Sequence, residues 1–276
     1  VAITHYNFRS IFAWNVFLYT GFMAVIAVYL WTLMEKRANR HAYGVGITAL
    51  GWRFVLTAGT GSIFGFLVAR EAYDSALLAP IFILESLNCG LAVFIITVMV
   101  LERGEHGLLG QDLLRSLKNL LGIFAAVTLF LIAIFHLTGL YAAEHAGFER
   151  FALRDAPVYS GLFWAGKIGI GAALPMLICL SPAARISRPW LFTAAASTIV
   201  GTFAWLYVTI IGGQAYPLNI FPGHELLQSG YQGDAFGTYR PAAVEVALGL
   251  GGTALALLTL VGGLRVLPFM PIGHRS

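Results

Sequence analysis

The chain has 276 residues, of which 58% are hydrophobic and only 11% charged, with a mean hydropathy of +0.79; soluble domains carry about 25% charged residues. A soluble interior of this size cannot bury so much apolar surface, so a soluble enzyme is excluded and a polytopic membrane protein is left. The formal charge of +4 does not point to nucleic acid, because basic residues of membrane proteins gather in the loops of one side to set orientation. Seven apolar runs are long enough to cross about 30 Å of hydrocarbon. They predict an all-α bundle, one transmembrane domain over 1–276, with spans at 10–34, 46–70, 76–101, 117–141, 158–181, 188–213 and 241–266. The second carries Arg53 and the run Gly59-Thr60-Gly61-Ser62-Ile63-Phe64-Gly65. That run resembles a phosphate-binding loop only superficially: no GK[ST] follows, and small-residue helix packing explains it better. Between the last two spans lies the longest polar interval, 214–240, rich in aromatics and prolines. Loops of that length are seldom mere connectors, and it reads as a cap or docking surface. The chain begins at Val and shows no signal-peptide pattern, so it is read as part of a longer product.

Five basic residues (Arg9, Arg70, Arg150, Arg154, Arg240) fall on the side of the N-terminus, and ten on the other side. The richer side is therefore expected to be cytoplasmic, with the N-terminus and the 142–157 and 214–240 loops outside and the C-terminus inside. Cys89 and Cys179 both lie in apolar runs without CxxC spacing, which supports neither a disulfide framework nor an iron–sulfur motif. His136 is the one His well inside a span, so the paired axial ligands of a membrane haem are not expected. The chain itself is expected to hold no haem, cluster or other metal.

Ionisable side chains in a bilayer cost several kcal/mol unless paired or hydrated, so each is a candidate for function. They are Arg53, Glu85, His136, Lys167 and Glu245, with Asn15, Asn88, Tyr207 and Gln214 as neutral companions. Counted from the span ends at 1.5 Å per residue, Asn15, Glu85, His136, Lys167, Tyr207 and Glu245 fall in the outer half. A polar set in one leaflet suits an amphiphilic ring compound that enters from lipid, and a quinone fits. His or Tyr would hydrogen-bond its oxygens and a carboxylate would take protons released on oxidation. The bland alternative is an ion pair, such as Glu85 with Lys167, that only ties helices together.

Several motifs then carry a resemblance. Phe12-Ala13-Trp14-Asn15 opens the first span, and Leu78-Ala79-Pro80-Ile81-Phe82-Ile83-Leu84-Glu85-Ser86 with Gly90-Leu91-Ala92 forms the third. Phe163-Trp164 precedes Lys167-Ile168-Gly169-Ile170-Gly171; Tyr239-Arg240-Pro241 precedes Glu245; Leu267-Pro268 ends the last span. In this order they resemble the NrfD/PsrC family of quinone-interacting membrane subunits, typified by polysulfide reductase. The runs 136–145 and 212–218, with Phe221-Pro222-Gly223, are most similar to the family's DsrP branch, found in the DsrMKJOP complex. The resemblance implies a subunit that exchanges electrons between menaquinone or ubiquinone and a four-cluster ferredoxin-like iron–sulfur subunit on the outer face. It also implies further membrane and cytochrome c subunits, in a respiratory or sulfur-linked complex of the bacterial cytoplasmic membrane. Family members have at least eight spans, so helices upstream of this chain are expected. Asn15 and Lys167 stand where the family often has acids, which leaves Glu85, Glu245 and His136 as catalytic candidates for proton transfer. Asn15, His136, Lys167, Tyr207 and Gln214 are the candidates for holding the quinone. A secondary transporter and a non-catalytic membrane anchor remain as alternative classes, although no inverted repeat supports the first.

Overall fold

The computed structural model describes residues 7–101, 110–181, 188–217 and 241–266, and every regular element among them is helical. In chain order they are α1 (Ile11–Met34), α2 (Ala42–Gly65), α3 (Leu78–Leu101), α4 (Gln111–Tyr141), the short α5 (Ala146–Arg150), α6 (Pro157–Leu180), α7 (Arg188–Ala215) and α8 (Ala243–Val266). Six of them, all but α2 and α5, are long and apolar enough to cross a membrane. α2 is as long as α1 at 24 residues; Arg53 and its glycines dilute its hydropathy. It still packs antiparallel to α1, with Gly46 against Tyr29 and Gly59 against Leu18. Seven long helices thus match the seven apolar runs, and the chain is a multi-pass membrane protein.

Some boundaries differ from those expected. α2 stops at Gly65, five residues early, because the chain turns back: a Cβ at Gly65 would stand 2.8 Å from the Ser75 carbonyl oxygen. α4 starts at Gln111 and runs for 31 residues, about 46 Å, so its polar first turns extend past the hydrocarbon. The 142–157 stretch, expected to be a loop, contains α5, which continues as a π-helical turn over Phe151–Asp155. The 214–240 loop lies mostly outside the described residues, as do Tyr239, Arg240 and Leu267-Pro268.

α3, α4, α6 and α7 form the central bundle; the α1–α2 hairpin packs on α3 through α2. The α2–α3 contact uses the small residues noted in the sequence: a Cβ at Gly61 would stand 2.7 Å from Ala79 Cα, so the backbones touch and packing, not phosphate, accounts for that run. α6 and α7 meet as closely where Gly171 faces Gly201. The side chains of residues 241–262, most of α8, are all exposed. Inside the bundle the apolar core is split in two. One cluster, toward the face where α1 begins, is aromatic and includes Phe82, Phe135, Phe148, Phe163 and Trp205. The other, toward the opposite face, is aliphatic and includes Ala92, Ile95, Leu121, Ala194 and Ala195. Between them lies a layer of buried polar residues: Glu85, Asn88, Thr128, Lys167, Thr198 and Thr202.

Candidate functional site

Two buried ionisable pairs occupy different depths of the bundle. The shallower joins His136, near the end of α4, to Glu149 of α5, with Nδ1 2.7 Å from Oε2. α5 can reach inward because Phe148, Phe151 and Ala152 plug it into the aromatic cluster, which leaves Glu149 only 2% exposed. Room for the carboxylate comes from Gly139, where a Cβ would collide with Glu149 Oε1. Since a carboxylate only accepts, His136 donates through Nδ1 and the tautomer is set. In the neutral ring Nε2 then carries the lone pair, and it makes no hydrogen bond to a described residue. Phe163 packs edge-on against the imidazole at 4.6 Å between ring centroids.

A cleft of about 50 Å³ reaches the Glu149 side of this pair from the face where α1 begins; Phe135, Thr138, Gly139, Glu149, His145 and Glu71 are among its walls. A water needs roughly 10–15 Å³ of such space, so the cleft admits a short chain of them. The loop before α3 closes its rim. His145 Nδ1 donates to the Glu71 carbonyl at 2.7 Å, and Arg70 Nη1 donates to the carbonyls of Gly213 and Gln214, both at 3.2 Å. That places a cation at the C-terminal end of α7, where the helix dipole favours it. Tyr73 donates to the Ile210 carbonyl at 3.0 Å, and burial pushes its phenol up to about 12, against a smaller opposing pull from Arg70. Burial, followed by the neighbouring Glu71 carboxylate, likewise raises the Tyr216 phenol.

The deeper pair is Glu85 of α3 with Lys167 of α6, the ion pair that the sequence offers as the bland alternative; Thr202 of α7 donates to Glu85 Oε2 at 2.9 Å. Glu85 is 3% and Lys167 1% exposed. Lys167 lies in the middle of a π-helical stretch, Leu162–Ala173. A π turn widens the helix and re-aims its side chains, and such turns recur at functional sites. A second one in α7, Tyr207–Gly212, and the one after α5 both lie in the half of the bundle that holds His136.

The remaining sequence candidates are not brought to either pair. Asn15 is buried, but its amide ties α1 to α2 by donating to the Ile11 and Gly59 carbonyls at 3.2 and 3.1 Å. Tyr207 is half-buried and stacks on Tyr159 at 6.1 Å. Gln214 is exposed at the end of α7. Glu245 is exposed in the first turn of α8, where its carboxylate accepts from the Ala242 N–H at 2.9 Å. Arg53 Nη2 approaches Ser86 Oγ at 3.4 Å and the Phe22 ring at 5.6 Å, on the outside of the bundle. Sequence reasoning misses Glu149, Thr128 and Thr202. Only Glu149 leaves a signal, being flanked by Phe148, Phe151 and Ala152 at helical spacing. Among the described residues no three His, Cys, Asp or Glu side chains are grouped to hold a metal ion.

A multi-pass helical bundle with ionisable pairs enclosed within it is the class of protein this geometry defines. Within that class, the chain belongs to the family described as polysulphide reductase, NrfD, whose pattern matches residues 1–217. It is 28% identical over 273 residues to an Hdr-like menaquinol oxidoreductase integral membrane subunit of Archaeoglobus fulgidus, covering 98% of this chain and 68% of that one. It is 31% identical over 305 residues to a putative dimethyl sulfoxide reductase membrane subunit of Halobacterium salinarum, covering 96% and 67%. A selenate reductase subunit of Mesobacillus selenatarsenatis is 25% identical over 304 residues, covering 94% and 68%.

Proposed function

We propose that this chain is the quinone-reactive membrane subunit of a respiratory or sulfur-linked oxidoreductase, and that His136 with Glu149 is its proton-accepting centre. The names of its relatives support the setting: one is a menaquinol oxidoreductase subunit and two are subunits of reductases. The observation that carries the reading is a buried imidazole packed against the Phe163 ring and hydrogen-bonded to a carboxylate that itself lines a cleft to the surface. Those residues fit a quinone head group, which needs a flat apolar surface and one directed proton acceptor.

When bound, a quinol supplies two electrons and two protons. His136 Nε2 would accept the two hydroxyl protons one after the other, and Glu149 would stabilise the imidazolium formed each time through Nδ1–H, passing each proton on before the next. Glu149 and the waters of the cleft then lead the proton to the face where α1 begins. Glu85, deeper in the bundle and off this route, is a second proton-carrying group, with Lys167 holding its charge state. Electrons leave to a four-cluster ferredoxin-like iron–sulfur subunit seated on that face, with further membrane and cytochrome c subunits in the same assembly. The asymmetry of its basic residues supports reading that face as the outer one, in a bacterial cytoplasmic membrane on this proposal. The test replaces His136 by Phe in the intact complex. General acid–base groups contribute about 10²–10⁴-fold, so quinol oxidation falls by about 100-fold or more while the complex stays assembled. An unchanged rate would make this chain a structural anchor, and failure of quinone to co-purify with the wild-type complex would also count against the reading.

A further inference from the structure

The polar layer in the middle of the bundle contains more hydrogen-bonding capacity than its protein partners satisfy. Both amide atoms of Asn88 and the hydroxyl of Thr128 are fully enclosed and meet no partner among the described residues; each residue is 1% exposed. Asn88 lies three residues after Glu85 on the same face of α3. Thr128 falls at the same level: Phe82 shares the aromatic cluster with Ile132 of α4, and Ala92 shares the aliphatic one with Leu121. Antiparallel helices so paired bring residue 128 opposite residues 85–86. Along the bundle axis Asn88 and Thr128 therefore lie within about one helical turn, roughly 5 Å, of Glu85.

A buried amide with neither its donors nor its acceptor satisfied is rare in native structures, and internal water is the usual partner. A net-neutral ion pair draws neither a cation nor an anion to the site, so the chemistry selects water. We propose that Asn88 and Thr128 hold water against the Glu85–Lys167 pair and so form a hydrated proton-holding site at the centre of the bundle, separate from His136 and Glu149. The water accepts from the Asn88 amide and donates to its carbonyl or to Thr128. A proton arriving on that water passes to the Glu85 carboxylate, leaving neutral water and a carboxylic acid while Lys167 keeps its own proton. The two seals of the layer are unequal. Toward His136 stand the rings of Phe82, Phe163 and Trp205, whereas toward the opposite face Ala92, Ala194 and Ala195 pack with the larger side chains of Ile95, Leu117, Leu121 and Leu191.

Infrared spectroscopy of the wild-type complex tests this without any quinone turnover. The expected result is an enclosed-water O–H band that shifts in H₂¹⁸O and is lost in Thr128→Val. A carboxyl band that appears only when a proton is loaded on the site, shifts in D₂O and is lost in Glu85→Gln is also expected. Thermal stability gives a second readout of opposite sign for a dry site. With water present, Asn88→Leu and Thr128→Val lower Tm, because they strip hydrogen bonds from the layer. In a dry layer both variants raise Tm or leave it unchanged, since an unpartnered polar group is then replaced by an apolar one. Absence of an isotope-sensitive water band in the wild type, or variants as stable as the wild type, would overturn the proposal.

Discussion

Replacing Glu149 by Gln keeps its size and an acceptor oxygen but removes the charge, which isolates what the carboxylate does for His136. The pair is 2.7 Å apart and Glu149 is 2% exposed, so little solvent screens the interaction. A hydrogen bond to a charged group is worth about 1.5–3 kcal/mol. In quinol oxidation that bond strengthens only once His136 has taken the proton. The loss therefore appears in the barrier rather than in binding, as a fall in kcat of about 10- to 100-fold with KM little changed. The assay is steady-state quinol oxidation by the assembled complex, with its composition and Tm as controls. A double-mutant cycle with His136→Phe completes it: once the imidazole is gone, Glu149→Gln should cost almost nothing further, because the two residues act as a unit. Full additivity of the two substitutions, or a change in KM alone, would refute the coupling.

Lys167→Met leaves a buried carboxylate without its cation, and such losses cost about 3–5 kcal/mol; the double variant Glu85→Gln with Lys167→Met should cost less than Lys167→Met alone in denaturant-induced unfolding of the complex. Gly201→Ala places a methyl against the backbone of Gly171 and should destabilise by about 1–3 kcal/mol, the usual cost of overpacking. Gly249→Ala, at a position in α8 with nothing near its Cβ, is the neutral control in the same assay. Tyr73 is neutral when folded, with its phenol raised from 10.0 to about 12. The unfolded chain releases this proton first, so the stabilisation is fully present below pH 10 and is lost as pH rises from 10 to 12. Tyr73→Phe should flatten that alkaline fall, while costing about 1 kcal/mol at neutral pH for its lost bond to Ile210.

The spans are legible because crossing a membrane imposes a length and a composition, and both can be counted. The ends are less so: α4 continues from its apolar run back to Gln111, since backbone hydrogen bonds do not stop where hydrocarbon does. His136, Glu85 and Lys167 stand out as ionisable groups in apolar runs, and Glu85 with Lys167 can be named as a pair. Glu149 reads in the sequence as one more carboxylate of an outer loop, because its burial depends on α5 folding back onto α4 and α6, a tertiary event. Thr128 and Thr202 carry no charge and are ordinary in any membrane helix until a partner, or the want of one, marks them. Asn15 and Glu245 show the reverse case. Each is polar and suggestively placed in the chain, yet the structure gives one to a helix seam and the other to the first turn of α8.

The separation of the two pairs along the bundle constrains how protons can move. From His136 to Thr128 is eight residues of α4, about 12 Å, and the intervening level is filled by the rings of Phe82, Phe163 and Trp205 with Ile132. A proton on His136 sits beside a carboxylate and an open cleft, while a step inward would place it among apolar rings with no hydrogen-bonding group to receive it. The inward step loses by several kcal/mol on desolvation alone. On the proposed roles, protons taken up at His136 therefore leave by the near face, and the aromatic band keeps them from Glu85. On those roles, one band of aromatic side chains keeps the protons of the two pairs apart. Replacing Phe82 or Trp205 with small polar residues is the change that would let them mix.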